Sequence, residues 1–176
     1  MSPELTPVDW AKRPVVEKYA DFSGRAPRAE YWWFVLAMIV AFIVVGIVES
    51  ILGIHHMIAY SYGPLSALLW LATIVPSLAV GVRRLHDTSR SGWWILLPIV
   101  PYVLGMVLGG AAMLGGAAAG SGVGMMAGAG IAGLFMLIGM ICALVLLYFM
   151  VQPSVPGDNA YGPNPYGDRG PAVAAE

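Results

Sequence analysis

The sequence predicts an all-α polytopic membrane protein, a bundle of four transmembrane helices with both termini on the cytoplasmic side. Three observations carry this. Of the 176 residues, 59% are hydrophobic and only 11% are Asp, Glu, Lys or Arg, against roughly 25% charged in a typical soluble domain. Four apolar stretches are long enough to cross a hydrocarbon core of about 30 Å, which takes about 20 helical residues. All nine Lys and Arg residues fall on one side of the membrane if the chain starts inside and crosses four times, as the positive-inside bias demands. The net charge of −1 argues against a globally basic nucleic-acid binder.

Residues 1–30 form a cytoplasmic N-terminal segment carrying Lys12, Arg13, Lys18, Arg25 and Arg28. They contain no apolar run, so they are not read as a signal peptide. The transmembrane domain follows over 31–151, with spans at Tyr31–Val48, at Pro64–Val82, from Trp93 onward, and at Ile131–Val151. In lipid each span must satisfy its own backbone hydrogen bonds, which selects helix. Pro76, Pro98 and Pro101 are expected to kink the second and third spans. Glu49 lies about 27 Å along the first span at about 1.5 Å per residue, near the outer interface, where it is expected to face water.

Residues 83–92 form a cytoplasmic loop between spans two and three. Residues 109–130, GGAAMLGGAAAGSGVGMMAGAG, include nine glycines. Gly116, Gly120, Gly124 and Gly128 recur every four positions, which on a helix makes a smooth ridge for close packing. The segment is read instead as a Gly/Ala-rich outer connector, because a fifth span would leave no linking residues. The tail, 152–176, holds Pro153, Pro156, Pro163, Pro165 and Pro171, so it reads as cytoplasmic turns and extended chain. Cys142 is the only cysteine, which rules out an internal disulfide and a thiolate metal cluster.

Chemistry concentrates in VRRLHDTSRSGWW, residues 82–94. Arg83 and Arg84 complement the negative pole of the second helix and face anionic headgroups. Trp93 and Trp94 open the third span at headgroup depth, as Trp32 and Trp33 open the first. Arg83 with Asp87, and His86 with Arg90, stand four residues apart, a spacing at which helical side chains meet. Before the first span stand Arg25, Arg28 and Glu30, in a similar arrangement.

DFSGRAPRAEYWWFVL, RRLHDTSRSGWW and GDNAYGPNPYG resemble, in order and spacing, the three motifs of the domain of unknown function 805 family. The resemblance covers roughly residues 18–167 and is most specific in the middle motif. It implies a small polytopic helical protein of bacterial inner membranes and no established reaction. In the tail, Ala160 stands where that family usually has an arginine.

On this topology all three motifs are cytoplasmic. Arg25, Arg28, Glu30, Arg83, Arg84, His86, Asp87, Arg90 and Asn159 are therefore expected to converge, with arginines within ion-pair reach of Glu30 or Asp87. Such a cluster is either an ion-paired clasp or a binding site for anionic lipid headgroups or a protein partner, with arginine supplying bidentate donors. Membrane lipids, a membrane-protein partner or a second copy are the expected partners. No cofactor and no metal site is expected: His55 and His56 are adjacent but lack a third ligand nearby. His86, Asp87, Ser89 and Ser91 are nucleophilic-triad residue types, but such close neighbours point apart, so an enzyme acting on phosphate-bearing lipids is a secondary reading. An oligomeric transporter or channel subunit is the other alternative, with Glu49 as its one ionisable residue within a span.

Overall fold

The computed structural model describes residues 5–54 and 63–166. These residues form helices and no strand, and four helices are long and apolar enough to cross a membrane. The chain divides into two compact units, Met1–Arg90 with Pro153–Glu176, and Ser91–Gln152. His55 and His56 lie outside the described residues.

The first unit opens with α1, Pro7–Val16. Its capping box is complete: the Thr6 hydroxyl accepts from the Asp9 N–H while the Asp9 carboxylate accepts from the Thr6 N–H. Lys12 and Thr6 together hold the Asp9 carboxyl down to about 2. Pro7, Val8 and Ala11 of α1 share an apolar groove with Trp33, Val40 and Val44 of α2, so α1 lies along the first span.

α2, Arg28–Leu52, begins where Pro27 leaves extended backbone and ends at Gly53 in the left-handed region (φ 69°), a conformation that glycine adopts without a Cβ penalty. α3, Pro64–Asp87, starts with proline in its first turn, where the missing N–H costs nothing. No side chain of its own caps α3; Glu49 of α2 does so. The Glu49 carboxylate accepts from the Ser66 N–H at 2.9 Å and the Ser66 hydroxyl at 2.6 Å. Glu49 is only 1% exposed, which corrects the expectation that it faces water. The reason is the unpaired N–H groups of the first turn of α3, which no solvent satisfies in an apolar setting. An anion at that positive pole is also favoured.

Pro76 does not break α3. It donates no hydrogen bond to the Ala72 carbonyl four residues back, and the Tyr19 hydroxyl donates to that oxygen instead, at 2.7 Å.

The second unit is one interrupted span and one continuous helix. A 3₁₀ segment, Gly92–Leu96, leads into α4, Ile99–Leu104. A π-helical turn at Gly105–Gly109 follows, then α5, Gly110–Ala118. α6 runs unbroken over Gly122–Val151. The glycine-rich segment 109–130 is therefore helix on both sides of a tight turn at 119–121, not a flexible connector. The turn is a Schellman closure. Gly120 is left-handed (φ 65°), the Ser121 N–H donates to the Gly116 carbonyl at 2.8 Å, and that of Gly120 to Ala117 at 3.1 Å. Ser121 then caps α6 through its hydroxyl, which accepts from the Gly124 N–H.

Glycine is what lets these helices touch. A Cβ on Gly116 would stand 2.5 Å from the Met125 nitrogen, and one on Gly128 would stand 2.5 Å from the Met113 nitrogen. Gly105 and Gly109 press on Phe135 and Ala132, and Gly139 receives the Tyr102 ring. Lipid tails are as apolar as leucine, so close backbone packing replaces the hydrophobic effect as the force joining such helices.

Two outcomes follow for thermal melting in detergent. Gly116→Leu and Gly128→Leu should each destabilise by about 1–3 kcal/mol or more from overpacking, whereas Gly115→Ala, facing open space, should melt like the wild type. Glu49→Ala should cost about 1–3 kcal/mol by leaving buried donors of α3 unpaired, and equal melting temperatures would rule out the cap.

Candidate functional site

The three polar motifs meet at the end of the first unit where α2 starts and α3 finishes. The approach to α2 is bent by Asp21, which accepts from the Ser23 N–H and hydroxyl, and by Gly24 at φ 76°. Arg25, Ala26 and Pro27 are thereby buried, and the Ala26 N–H donates to the Arg83 carbonyl at 3.0 Å.

α3 ends in a Schellman motif of its own. The Arg90 N–H donates to Leu85 at 2.9 Å and the Ser89 N–H to His86 at 3.0 Å. Ser89 occupies the left-handed position at φ 58°, where glycine is usual. Its hydroxyl accepts from the Asn159 amide at 3.2 Å, a tertiary contact that glycine cannot supply.

Two buried carboxylates organise the site, each between two arginines. Glu30 meets Arg83 of α3 and, at 3.3 Å, Arg13 of α1. Asp87 meets Arg84 at 2.5 Å, Arg25 at 3.0 Å, and the Ser154 hydroxyl of the tail. Glu30, Arg83, Arg84 and Asp87 are each 0% exposed. The i, i+4 pairing of Arg83 with Asp87 is not made: Arg84 takes Asp87 from three residues away while Arg83 turns to α2. α3 ends at Asp87, short of Arg90, so the helical spacing of His86 and Arg90 no longer applies, and the Arg90 guanidinium donates to the Thr88 carbonyl at 3.2 Å.

Arg25 also ties down the tail, donating to the carbonyls of Val155 and Gly157 at 2.7 Å each. The Val155 N–H donates to the Asp87 carbonyl at 3.1 Å. Asn159 donates to the His86 carbonyl at 2.9 Å, and its own backbone closes a turn with Gly162. The His86 ring stacks on Tyr161 with centroids 3.9 Å apart and planes 4° apart. Its Nδ1 lies 3.2 Å from the Gly24 carbonyl, which only accepts, so Nδ1 donates there. His86 Nδ1 is thus committed to Gly24 and not to Asp87, the contact that a triad histidine makes through that atom.

The structure thus brings together Arg25, Glu30, Arg83, Arg84, His86, Asp87, Arg90 and Asn159. Arg28 makes no ion pair among the described residues but stands within electrostatic reach of Tyr166, as does Arg84. Burial, and then the Asp87 carboxylate, push the Tyr166 phenol above its ordinary value, so it stays protonated. Arg13, Tyr19, Ser154, Tyr161 and Tyr166 escaped the sequence reading. The last two lay in view within GDNAYGPNPYG, but which side chains a flexible-looking tail sends inward is not visible in its composition. Of the anchoring tryptophans, Trp33, Trp93 and Trp94 are exposed and Trp32 is half-buried. Trp32 packs edge-on to Tyr31 and Trp94 to Phe149.

Apolar spanning helices, with polar motifs gathered at one end of an antiparallel pair, define an integral membrane protein of multi-pass, all-helical type. The chain belongs to the DUF805 family, described as proteins of unknown function, whose pattern matches residues 19–163. It is 31% identical over 158 residues to the inner membrane protein YhaH of Escherichia coli, covering 90% of this chain and 97% of that one. It is 45% identical over 94 residues to the inner membrane protein YhaI of the same organism, covering 53% and 75%. A third relative, the uncharacterised E. coli protein YiiR, is 39% identical over 88 residues, covering 47% and 52%. No solved structure matches. The protein is accordingly a multi-pass protein of the bacterial inner membrane. The family match leaves out α1, and with it Arg13.

Removing Asp87 tests the clasp directly. Asp87→Ala strands Arg25 and Arg84 without their buried partner, and should destabilise by about 3–5 kcal/mol. Limited proteolysis should then cut the tail after Gln152 in the variant but not in the wild type. A variant that melts and resists protease like the wild type would show that the clasp holds nothing.

Proposed function

We propose that the protein is a non-catalytic inner-membrane protein whose motif cluster lies on the cytoplasmic face and binds anionic phospholipid headgroups. One observation carries this reading. Five arginines, Arg13, Arg25, Arg28, Arg83 and Arg84, gather around three carboxylates, Glu17, Glu30 and Asp87, leaving a surplus of two positive charges. Two nitrogens of the fully buried Arg83, Nε and Nη2, have no hydrogen-bond partner among the described residues, an expensive state for a buried charge. An anion at the end of these helices relieves the surplus, and a basic residue near an anionic membrane surface gains about 1 kcal/mol. The ion pairs preset the arginines, so binding orders little that is not already ordered.

Orientation rests on the one-sided distribution of Lys and Arg. In a Cys142→Ser background, Ser61→Cys should react with a membrane-impermeant thiol reagent on intact spheroplasts and Ala160→Cys should not; the reverse labelling would overturn it. For the ligand, native mass spectrometry of detergent-purified protein should retain phosphatidylglycerol in preference to phosphatidylethanolamine. Arg28→Gln should weaken that retention about fivefold, the equivalent of about 1 kcal/mol. A wild type with no preference between the two lipids would refute headgroup binding.

A further inference from the structure

Below the clasp, α2 and α3 do not close on each other along their whole length. They are joined at one end by Glu30 with Arg83 and at the other by Glu49 with Ser66. Between these ties runs a groove of about 450 Å³, within the range of about 300–1,000 Å³ typical of ligand pockets. Tyr31, Val35, Met38 and Phe42 line it from α2, and Ser77 and Val80 from α3. Of its two hydroxyls, that of Tyr31 stands at the end nearest the clasp, and that of Ser77 already donates to the Thr73 carbonyl at 2.6 Å.

The helical periods place a cation at the mouth of each wall. On α2, Arg28 stands three residues before Tyr31 and seven before Val35, on the same stripe of the helix. On α3, Arg84 stands four residues after Val80 and seven after Ser77. Arg84 is fully buried and held by Asp87, so the half-buried Arg28 is the cation that the mouth presents. The groove runs from Tyr31 to Phe42, about 17 Å at about 1.5 Å per residue. That length matches half of a hydrocarbon core about 30 Å thick, which is the extent of one leaflet's acyl chain.

We infer that the groove between α2 and α3 seats one acyl chain of a single bound anionic phospholipid, with its phosphate at Arg28. The inference rests on the headgroup reading above and adds to it a fixed chain site, a depth and a stoichiometry. It commits to an intact long-chain phospholipid over free phosphate or a soluble phosphate ester. A binding site of this kind responds to chain length and to groove volume, whereas headgroup attraction alone responds to neither.

The test compares palmitoyl-oleoyl and dihexanoyl phosphatidylglycerol by native mass spectrometry, on the wild type and on Val35→Trp, Met38→Trp and Ile47→Trp. Ile47 is exposed on α2 outside the groove. The wild type should hold one long-chain lipid and bind the short-chain analogue at least tenfold more weakly. Val35→Trp and Met38→Trp should lose at least tenfold, and Ile47→Trp should match the wild type. A second measurement needs no variant: phosphatidylglycerol carrying a photoreactive group midway along one chain should label Val35–Phe42 and Ser77 in the wild type, competed by excess unlabelled lipid. Retention of phosphatidylglycerol unchanged by both groove-filling substitutions, or labelling spread evenly over α2, would overturn the chain site while leaving headgroup binding intact. A wild type that retains no phosphatidylglycerol would overturn both.

Discussion

The pairing of two buried carboxylates with four arginines is the constraint on which the first unit depends. Glu30 and Asp87 sit where α2 begins and α3 ends, and neither carboxylate nor Arg83 or Arg84 reaches solvent. Taking such groups out of water costs several kcal/mol per ion, and only well-placed partners repay it. Arg13, Arg25, Arg83 and Arg84 are therefore held to one register, and so are α1, the bend before α2 and the tail. Arg25 makes this concrete: one guanidinium binds Asp87 and two tail carbonyls. Specificity of arrangement, more than net stability, is what a cluster of this kind contributes.

The other unit reaches definition by the opposite route. Its helices carry almost no polar groups, and what positions them is the absence of side chains. Gly116 against Gly124 and Met125, and Gly128 against Met113, bring backbones together where any Cβ would intrude. The π-helical turn at Gly105–Gly109 sits within this contact, consistent with a helix that adjusts its pitch to keep a small-residue face toward its neighbour. Glycine is costly in a soluble helix, but in lipid the close approach it allows is the main source of association.

Polar groups within the first unit's spans are treated one at a time. The carbonyl freed by Pro76 takes the Tyr19 hydroxyl, and the first turn of α3 takes Glu49. Each repair reaches across elements, because no water is available to make it locally. The clasp differs in setting four arginines against two carboxylates. His86, held by Gly24 and stacked on Tyr161, belongs to the tie: its ring is committed to packing.

How much of this was legible in the sequence follows from the range of the forces involved. The spans, their helical state and the membrane setting are written in composition and run length, since a bilayer accepts only helices or closed barrels. The meeting of the three motifs was legible too, because antiparallel neighbours bring their ends together. Partner choice was not. Spacing paired Arg83 with Asp87, but the rotation of α3 against α2 gives Asp87 to Arg84 and sends Arg83 to Glu30. Glu49 looked like a water-facing residue until the position of α3's first turn made it a cap. The glycines of 109–130 looked like a connector because low side-chain content fits both a loose link and a tight helix pair. Only the facing helix decides between them, and that is a matter of which surfaces meet, which no local pattern records.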